Sequence, residues 1–91
     1  MNRCEKSVTI INKLGLHARA ATKLAQLCQK YQAKVTLILD EKKADASSIM
    51  ALMLLAGSQG KVVNIITEGS DAELALEGIC KLFTDKFEEE E

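Results

Sequence analysis

Three segments of the chain carry the side-chain pattern of β-strands. Residues 7–11 are β-branched and bounded by polar residues, which is typical of a strand. In residues 33–39 apolar side chains recur at every second position, and this period predicts a half-buried strand. Residues 61–67 predict another strand, with apolar side chains on both of its faces.

Three further segments carry the pattern of helices. Residues 18–29 place apolar side chains on one face at helical spacing, and residues 48–55 form a second, short helix that is apolar all round. Residues 70–73 have the pattern of a capping box and begin the third helix. The predicted buried stripes of the first and third helices consist of Ala20, Leu24, Leu27, Cys28 and Tyr31, and of Ala72, Ala75, Leu76, Ile79 and Phe83.

The two ends of the short helix have recognisable signals. Asp45 or Ser47 is suited to cap its start, because their side chains can accept hydrogen bonds from free backbone amides. Gly57 follows its end, and we expect this glycine to adopt the left-handed conformation common after helices.

The intervening segments complete the order strand, helix, strand, strand, short helix, strand, helix. Residues 12–16 form a turn, and residues 40–44 contain a tight turn and a short edge strand whose lysines discourage association. Three helices on a small sheet bury one of its faces, which predicts a two-layer α/β sandwich. A length of 91 residues suits one core, so we expect one domain, 1–91, in which residues 88–91 are a frayed, solvated acidic tail.

Composition and charge narrow the possible functions. The formal net charge is −1, and the few aromatic residues and the lack of a basic stripe argue against nucleic acid as a partner. The longest apolar run, residues 49–56, is too short to cross a bilayer. The first residues include several polar side chains, so the N-terminus lacks the apolar core of a signal peptide. We therefore expect a cytoplasmic protein that does not enter a membrane.

The cysteines indicate neither a metal site nor a disulfide framework. Cys4, Cys28 and Cys80 are widely spaced and contain no C-x-x-C pair, and the chain has a single histidine. We expect buried or half-buried reduced thiols, no bound metal and no cofactor.

That single histidine, His17, follows a glycine turn and stands at the start of the first predicted helix. Imidazole is reactive near neutral pH, and a helix start offers free backbone amides and a partial positive charge to an anion. Arg19 adds a planar donor group that stays charged. A lone histidine is more often an ordinary polar residue, but here three features converge on it and indicate a histidine that carries a phosphoryl group.

Two segments of the chain resemble a known family. Residues 11–22, INKLGLHARAAT, are similar to the active-site segment of the HPr phosphocarriers of the phosphoenolpyruvate-dependent phosphotransferase system. Residues 47–53, SSIMALM, resemble that family's second segment, at the expected separation. Residues 12–15 and Ala20, which stands where many members have proline, are most like the nitrogen-type branch of the family.

The resemblance implies a fold and a mechanism. The fold is an open-faced sandwich, with a four-stranded antiparallel sheet in the order 1-4-2-3 and three helices on one face. His17 would accept the phosphoryl group through Nδ1, the backbone amides of Ala18 and Arg19 would bind its oxygens, and the Arg19 side chain would neutralise developing charge. Lys13 and Lys23 are better explained as surface charges than as direct ligands.

The short helix and the serine before it have two interpretations each. A short helix on a sheet buries only part of its circumference, so some apolar side chains are expected to stay exposed. The helix is either well covered or, as the resemblance implies, part of a partner-docking surface formed by Leu16, Ile49, Met50 and Met53. Ser48 is either a helix-start residue or, by resemblance, a regulatory site for a kinase of the HPr kinase/phosphorylase type.

The resulting hypothesis is a relay protein without turnover of its own. It would take a phosphoryl group from phosphorylated enzyme I on His17 and pass it to an enzyme IIA, with the nitrogen-type system favoured over sugar transport. The alternatives are a regulatory binding module recognised through the apolar helix, and a small hydrolase that uses His17 as a base. The hydrolase has little support, because no candidate nucleophile, metal cluster or carboxylate pair accompanies the histidine.

Overall fold

The computed structural model describes residues 2–89. Its strands are β1 (Asn2–Thr9), β2 (Lys34–Leu39), β3 (Lys42–Asp45) and β4 (Val62–Gly69). Its helices are α1 (Ala18–Cys28), α2 (Ile49–Leu54), α3 (Ala72–Thr84) and a closing 3₁₀ turn, Lys86–Glu88.

The four strands form one antiparallel sheet in the order β1-β4-β2-β3, which confirms the expected topology. Alternate side chains of β2 are buried, as the period of two predicted, and they pack with the helices into one core. β3 lies at the edge of the sheet, and its two lysines are exposed. The two-layer sandwich with helices on one face is therefore confirmed.

β1 is longer than its pattern indicated. The strand begins at Asn2 and pairs with β4 along its whole length, whereas the sequence predicted only residues 7–11. Its side chains are mostly exposed, so backbone pairing with β4 rather than side-chain burial holds this edge strand in place. Ile10 lies beyond the strand but stays attached, because its amide donates to the Lys61 carbonyl oxygen over 2.9 Å.

The predicted signals at the ends of α2 are wrong in detail. Ser48 is the cap, since its Oγ accepts from the Ala51 amide over 3.2 Å, while Asp45 accepts from Ser47. Ala56 rather than Gly57 takes the left-handed conformation, with φ of 55°. Gly57 is needed for space: a Cβ there would lie 2.9 Å from side-chain atoms of Ile10 and Leu16.

The predicted capping box at residues 70–73 does not form. The N-cap of α3 is Asp71, and its side chain makes no cap hydrogen bond. Its carboxylate instead accepts from the amides of Gln32 and Ala33, at 2.9 and 2.8 Å. A carboxylate with two backbone donors in a distant loop is already satisfied, so this long-range contact replaces the local motif.

The thiols have the environments expected from the sequence. All three cysteines are free; Cys28 is buried, and Cys4 and Cys80 are half-buried. Burial, helped by the nearby charge of Asp45, raises the pKa of Cys28 to about 11. Burial also raises the pKa of Cys80, against the opposing charge of Lys6.

The C-terminal segment is anchored at least as far as Glu89. Phe87 is fully buried and packs edge-on against Phe83, with ring centroids 4.8 Å apart. The prediction of a frayed, solvated tail is therefore wrong for Glu89, whose side chain is 14% exposed and pairs with His17, whereas the side chain of Glu88 pairs with Lys23 but stays 70% exposed to solvent. Residues 90 and 91 of that predicted tail lie outside the described residues.

The turn before α1 is fixed by close backbone contact with the segment that follows α2. Gly15 has a φ of 64°, and a Cβ added there would lie 2.2 Å from the Gly57 carbonyl oxygen. The next amide, that of Leu16, donates to the same oxygen over 2.8 Å. Any residue with a side chain at position 15 would push this turn away from the segment that follows α2.

We predict that Gly15→Ala lowers the free energy of unfolding by at least about 2 kcal/mol, because it combines a left-handed conformation with a backbone clash. Gly60→Ala is the matched control, since Gly60 also has a positive φ but has nothing within 4 Å of an added Cβ. Chemical denaturation should show the larger loss for Gly15→Ala. Equal losses would mean that the contact with Gly57 does not constrain the turn.

Candidate functional site

His17 is the N-cap of α1. Its backbone is extended, with φ of −78° and ψ of 177°, and its carbonyl oxygen accepts from the Ala21 amide over 2.9 Å. Its side chain makes no cap hydrogen bond, so the imidazole is directed to other contacts. The side chain is 27% exposed, which leaves part of the ring accessible.

The start of α1 is suited to an anion. The first amides of a helix, here those of Ala18 and Arg19, have no intrahelical acceptor. No acidic residue lies in the first turn, and no side chain within residues 2–89 caps it. Arg19 is exposed and makes no ion pair with another residue in that range. The helix start therefore keeps its positive field.

The imidazole has a carboxylate neighbour that sequence reasoning missed. Nε2 of His17 is hydrogen-bonded to Oε2 of Glu89, whose side chain is 14% exposed. The other carboxylate oxygen, Oε1, accepts from Asn12 Nδ2 over 3.2 Å. Burial alone would raise the pKa of Glu89, but hydrogen bonds from His17 and Asn12, with the charges of His17 and Lys23, outweigh it and lower the pKa.

Asn12 links this carboxylate to the turn. It is fully buried, and its Nδ2 also donates to the Gly15 carbonyl oxygen over 2.8 Å. Its Oδ1 has no hydrogen-bond partner among the described residues. The two bonds of Nδ2 fix its orientation, since a flipped amide would place Oδ1 against two acceptors.

Lys23 holds the C-terminal segment rather than acting as a general surface charge. Its Nζ donates to the Phe87 carbonyl oxygen over 2.8 Å and lies 3.4 Å from Glu88 Oε1. One signal in the sequence could have revealed this segment: Phe87 follows Phe83 by one helical turn and continues the buried stripe of α3. Glu89, which is far from the histidine in sequence, therefore lies beside it.

The exposed side of α2 is strongly apolar. Met53 is 46% exposed, and Ile49, Met50 and Leu54 are exposed as well, so the expectation that part of this helix remains uncovered is confirmed. Leu14, in the turn before His17, adds an exposed apolar side chain that the sequence analysis did not single out. The turn is hydrogen-bonded to the segment that follows α2, which places these side chains at one end of the molecule.

Leu16 does not belong to that surface. Its side chain is only 5% exposed and packs in the core, so it is removed from the predicted docking residues. The physical reason is its contact with the backbone of Gly57, where even an added Cβ would be crowded by Leu16.

Ser48 has a structural role in the unmodified protein. Its hydroxyl oxygen caps α2 by accepting a hydrogen bond from the Ala51 amide. Replacing such a cap residue by alanine typically lowers the stability of the protein by about 1 kcal/mol. This role accounts for a serine at the helix start without regulation.

Comparison with known proteins shows the family. Residues 4–85 match the PTS-HPr family, described as the PTS HPr component phosphorylation site. The chain is 48% identical over 89 residues to phosphocarrier protein NPr of Shewanella violacea, covering 98% of both. It is 43% identical over 86 residues to phosphocarrier protein HPr of Xylella fastidiosa, covering 94% of this chain and 97% of the relative.

The fold agrees with solved structures. The crystal structure of HPr-C-His from Thermoanaerobacter tengcongensis superposes with a TM-score of 0.92 at 41% identity, over 97% of this chain and 99% of that one. This chain therefore belongs to the HPr family of phosphocarrier proteins. Proteins of this family carry phosphoryl groups in relays with enzyme I and enzyme IIA, and they are not enzymes with turnover of their own.

The described residues contain neither a membrane-spanning helix nor a cluster of metal ligands. No helix between residues 2 and 89 is both long and apolar enough to cross a membrane. Within the same range, no group of three or more His, Cys, Asp or Glu side chains could hold a metal ion.

The lowered pKa of Glu89 leads to a prediction. Because its pKa is lower in the folded chain than its ordinary value of 4.5, the ionised carboxylate stabilises the C-terminal segment above that pH. This stabilisation is lost as the pH falls through the folded value. Carbon-13 NMR titration of the carboxyl should give a pKa below 4.5, and His17→Ala should raise it. An unchanged pKa in the variant would mean that the two side chains do not interact in solution.

Proposed function

We propose that His17 is the residue that accepts the phosphoryl group, from phosphorylated enzyme I, and that it passes the group to an enzyme IIA. The observation that carries this proposal is the position of its imidazole at the uncapped start of α1. Family membership supports it, because the chain has only one histidine. The proposed working unit is the whole 91-residue chain as one domain in the cytoplasm.

The proposed mechanism depends on positioning and electrostatics, which supply most of the catalysis in phosphoryl transfer. The Gly15 turn aims the imidazole, and the amides of Ala18 and Arg19 bind the phosphoryl oxygens. The Arg19 guanidinium neutralises charge as it develops. We infer that Nδ1 is the attacking atom, since Nε2 is already hydrogen-bonded to Glu89.

We further propose that the acceptor is a nitrogen-type enzyme IIA. Support comes from residues 12–15 and Ala20, and from the 48% identity to a protein named NPr. The alternative is a sugar-transport role, which the 43% identity to a protein named HPr keeps open. Incubating the phosphorylated protein with a nitrogen-type and a sugar-type enzyme IIA, and comparing initial transfer rates, distinguishes the two.

The central test is His17→Ala. The variant should accept no phosphate from phosphoenolpyruvate and enzyme I, because the only imidazole is lost, while circular dichroism should show a retained fold. Mass spectrometry of the intact protein measures the added phosphate and its lability in acid. A parent protein that folds and binds enzyme I but is never phosphorylated would instead favour a regulatory binding module.

Arg19→Ala refines the same test. It should slow phosphate acceptance without abolishing it, since the backbone donors of the helix start remain. The initial rate of phosphohistidine formation is the measurement. A rate equal to that of the parent would remove Arg19 from the mechanism.

The apolar side of α2 is proposed as the surface on which enzyme I and the acceptor dock. Met50 and Met53 are flexible, polarisable side chains that adapt to different partners. Exposed apolar patches next to a reactive group are common at protein–protein contacts. Ile49 lies on the same helix and is also exposed, so Ile49, Met50 and Met53 remain of the surface expected from the sequence, without Leu16.

Met53→Glu should weaken the binding of enzyme I more than it weakens folding, because an interface would have to desolvate the new charge. Leu74→Glu is the matched control: Leu74 is an exposed leucine on α3, outside the proposed surface. Titration calorimetry with enzyme I should give a dissociation constant raised at least about tenfold for Met53→Glu only. Equal affinities for the two variants would move the docking surface elsewhere.

A further inference from the structure

The contact between His17 and Glu89 has a specific chemical consequence. A neutral imidazole carries one proton, on either Nδ1 or Nε2, and the hydrogen bond made by one nitrogen decides which. A carboxylate can only accept, so Glu89 beside Nε2 favours the form with the proton on Nε2. Nδ1 then keeps its lone pair, and within residues 2–89 no group is hydrogen-bonded to it.

We propose that Glu89 is a positioning residue for phosphoryl transfer: it holds the proton of His17 on Nε2 and so presents Nδ1 as the nucleophile. This inference rests on the proposed function of His17. Carboxylates act on histidines in this way in other sites, where they fix the tautomer and the ring orientation and stabilise the imidazolium that forms.

The transfer step shows why the charge of Glu89 is useful. The lone pair of Nδ1 attacks phosphorus, the Nδ1–P bond forms, and the bond from phosphorus to the donor's leaving atom breaks with its electron pair going to that atom. The proton on Nε2 stays in place, so the ring of His17 becomes positively charged. Glu89 faces this charge directly, and no proton has to leave for the step to proceed. Transfer to the acceptor reverses each of these changes.

Glu89 is held in place independently of His17. Asn12 donates to its other oxygen, and the preceding 3₁₀ turn is fixed by buried Phe87 and by the bond from Lys23 to the Phe87 carbonyl oxygen. The carboxylate therefore does not depend on the imidazole for its position. A preorganised group of this kind stabilises charge without reorganising at the moment of reaction.

Glu89→Gln tests the proposal with little change in shape. The new amide can donate as well as accept, so it no longer enforces one tautomer. Glu88→Gln is the matched control: it removes the same charge one residue earlier, from a side chain that is 70% exposed and pairs only at the surface with Lys23. Thermal unfolding of both variants checks that the fold is retained.

The first measurement is nitrogen-15 NMR of the unphosphorylated protein at a pH at which the ring is neutral. Because His17 is the only histidine, its two ring nitrogens need no further assignment. We expect the proton on Nε2 in the parent and in Glu88→Gln, and a mixture of both forms in Glu89→Gln. A parent protein with the proton on Nδ1 would overturn the proposal, and this measurement needs neither a variant nor a phosphoryl donor.

The second measurement is the initial rate of phosphate acceptance from phosphorylated enzyme I. Glu89→Gln should be at least about 10-fold slower than the parent, by analogy with the loss found when the outer partners of metal-bound histidines are removed, and Glu88→Gln should match the parent. An equal or faster rate for Glu89→Gln, with phosphate still on His17, overturns the positioning role alone. Absence of phosphate on His17 in the parent would instead overturn the proposed function, while the tautomer result would still stand.

Discussion

One close backbone contact, between the turn at Gly15 and the carbonyl oxygen of Gly57, organises this end of the molecule. The contact leaves no room for a side chain at position 15, and the Leu16 amide donates to the same oxygen. Because α1 begins two residues after Leu16, the contact determines where His17 lies and how the helix start faces solvent. It also holds the turn against the segment after α2, so His17 and the apolar helix share one side of the protein.

A second constraint concerns the balance of charge at the histidine. The helix start and Arg19 supply positive potential, whereas Glu89 supplies a negative charge on the other nitrogen of the ring. The two influences act on different atoms and do not cancel: one favours an anion near the first amides, and the other favours a proton on Nε2. A phosphocarrier needs a modified state that is neither a sink nor inaccessible, and opposed fields around one imidazole provide a physical means to reach that balance.

The parts of the structure that depend on local chemistry could be predicted from the sequence. The strand periodicity of residues 33–39, the helix beginning at Ala18 and the place of His17 before it all follow from neighbouring residues. Contacts between distant parts of the chain could not be predicted in this way. Glu89 lies 72 positions from His17 and 77 from Asn12, and it reaches them because Phe87 packs in the core. A long-range contact also explains why the predicted capping box does not form. The Asp71 carboxylate accepts hydrogen bonds from a loop nearly forty positions away.

Because the C-terminal segment is anchored beside His17, the two ends of the described chain are not equally suitable for attaching a label. Asn2 lies at the far end of β1 from the turn, a distance of roughly 27 Å for eight residues of extended chain. Glu89, in contrast, touches the imidazole. A fluorophore or affinity handle attached near Asn2 would report on the protein from a distance, whereas one attached to Glu89 would stand beside the imidazole of His17 and disturb the contact that it was meant to observe.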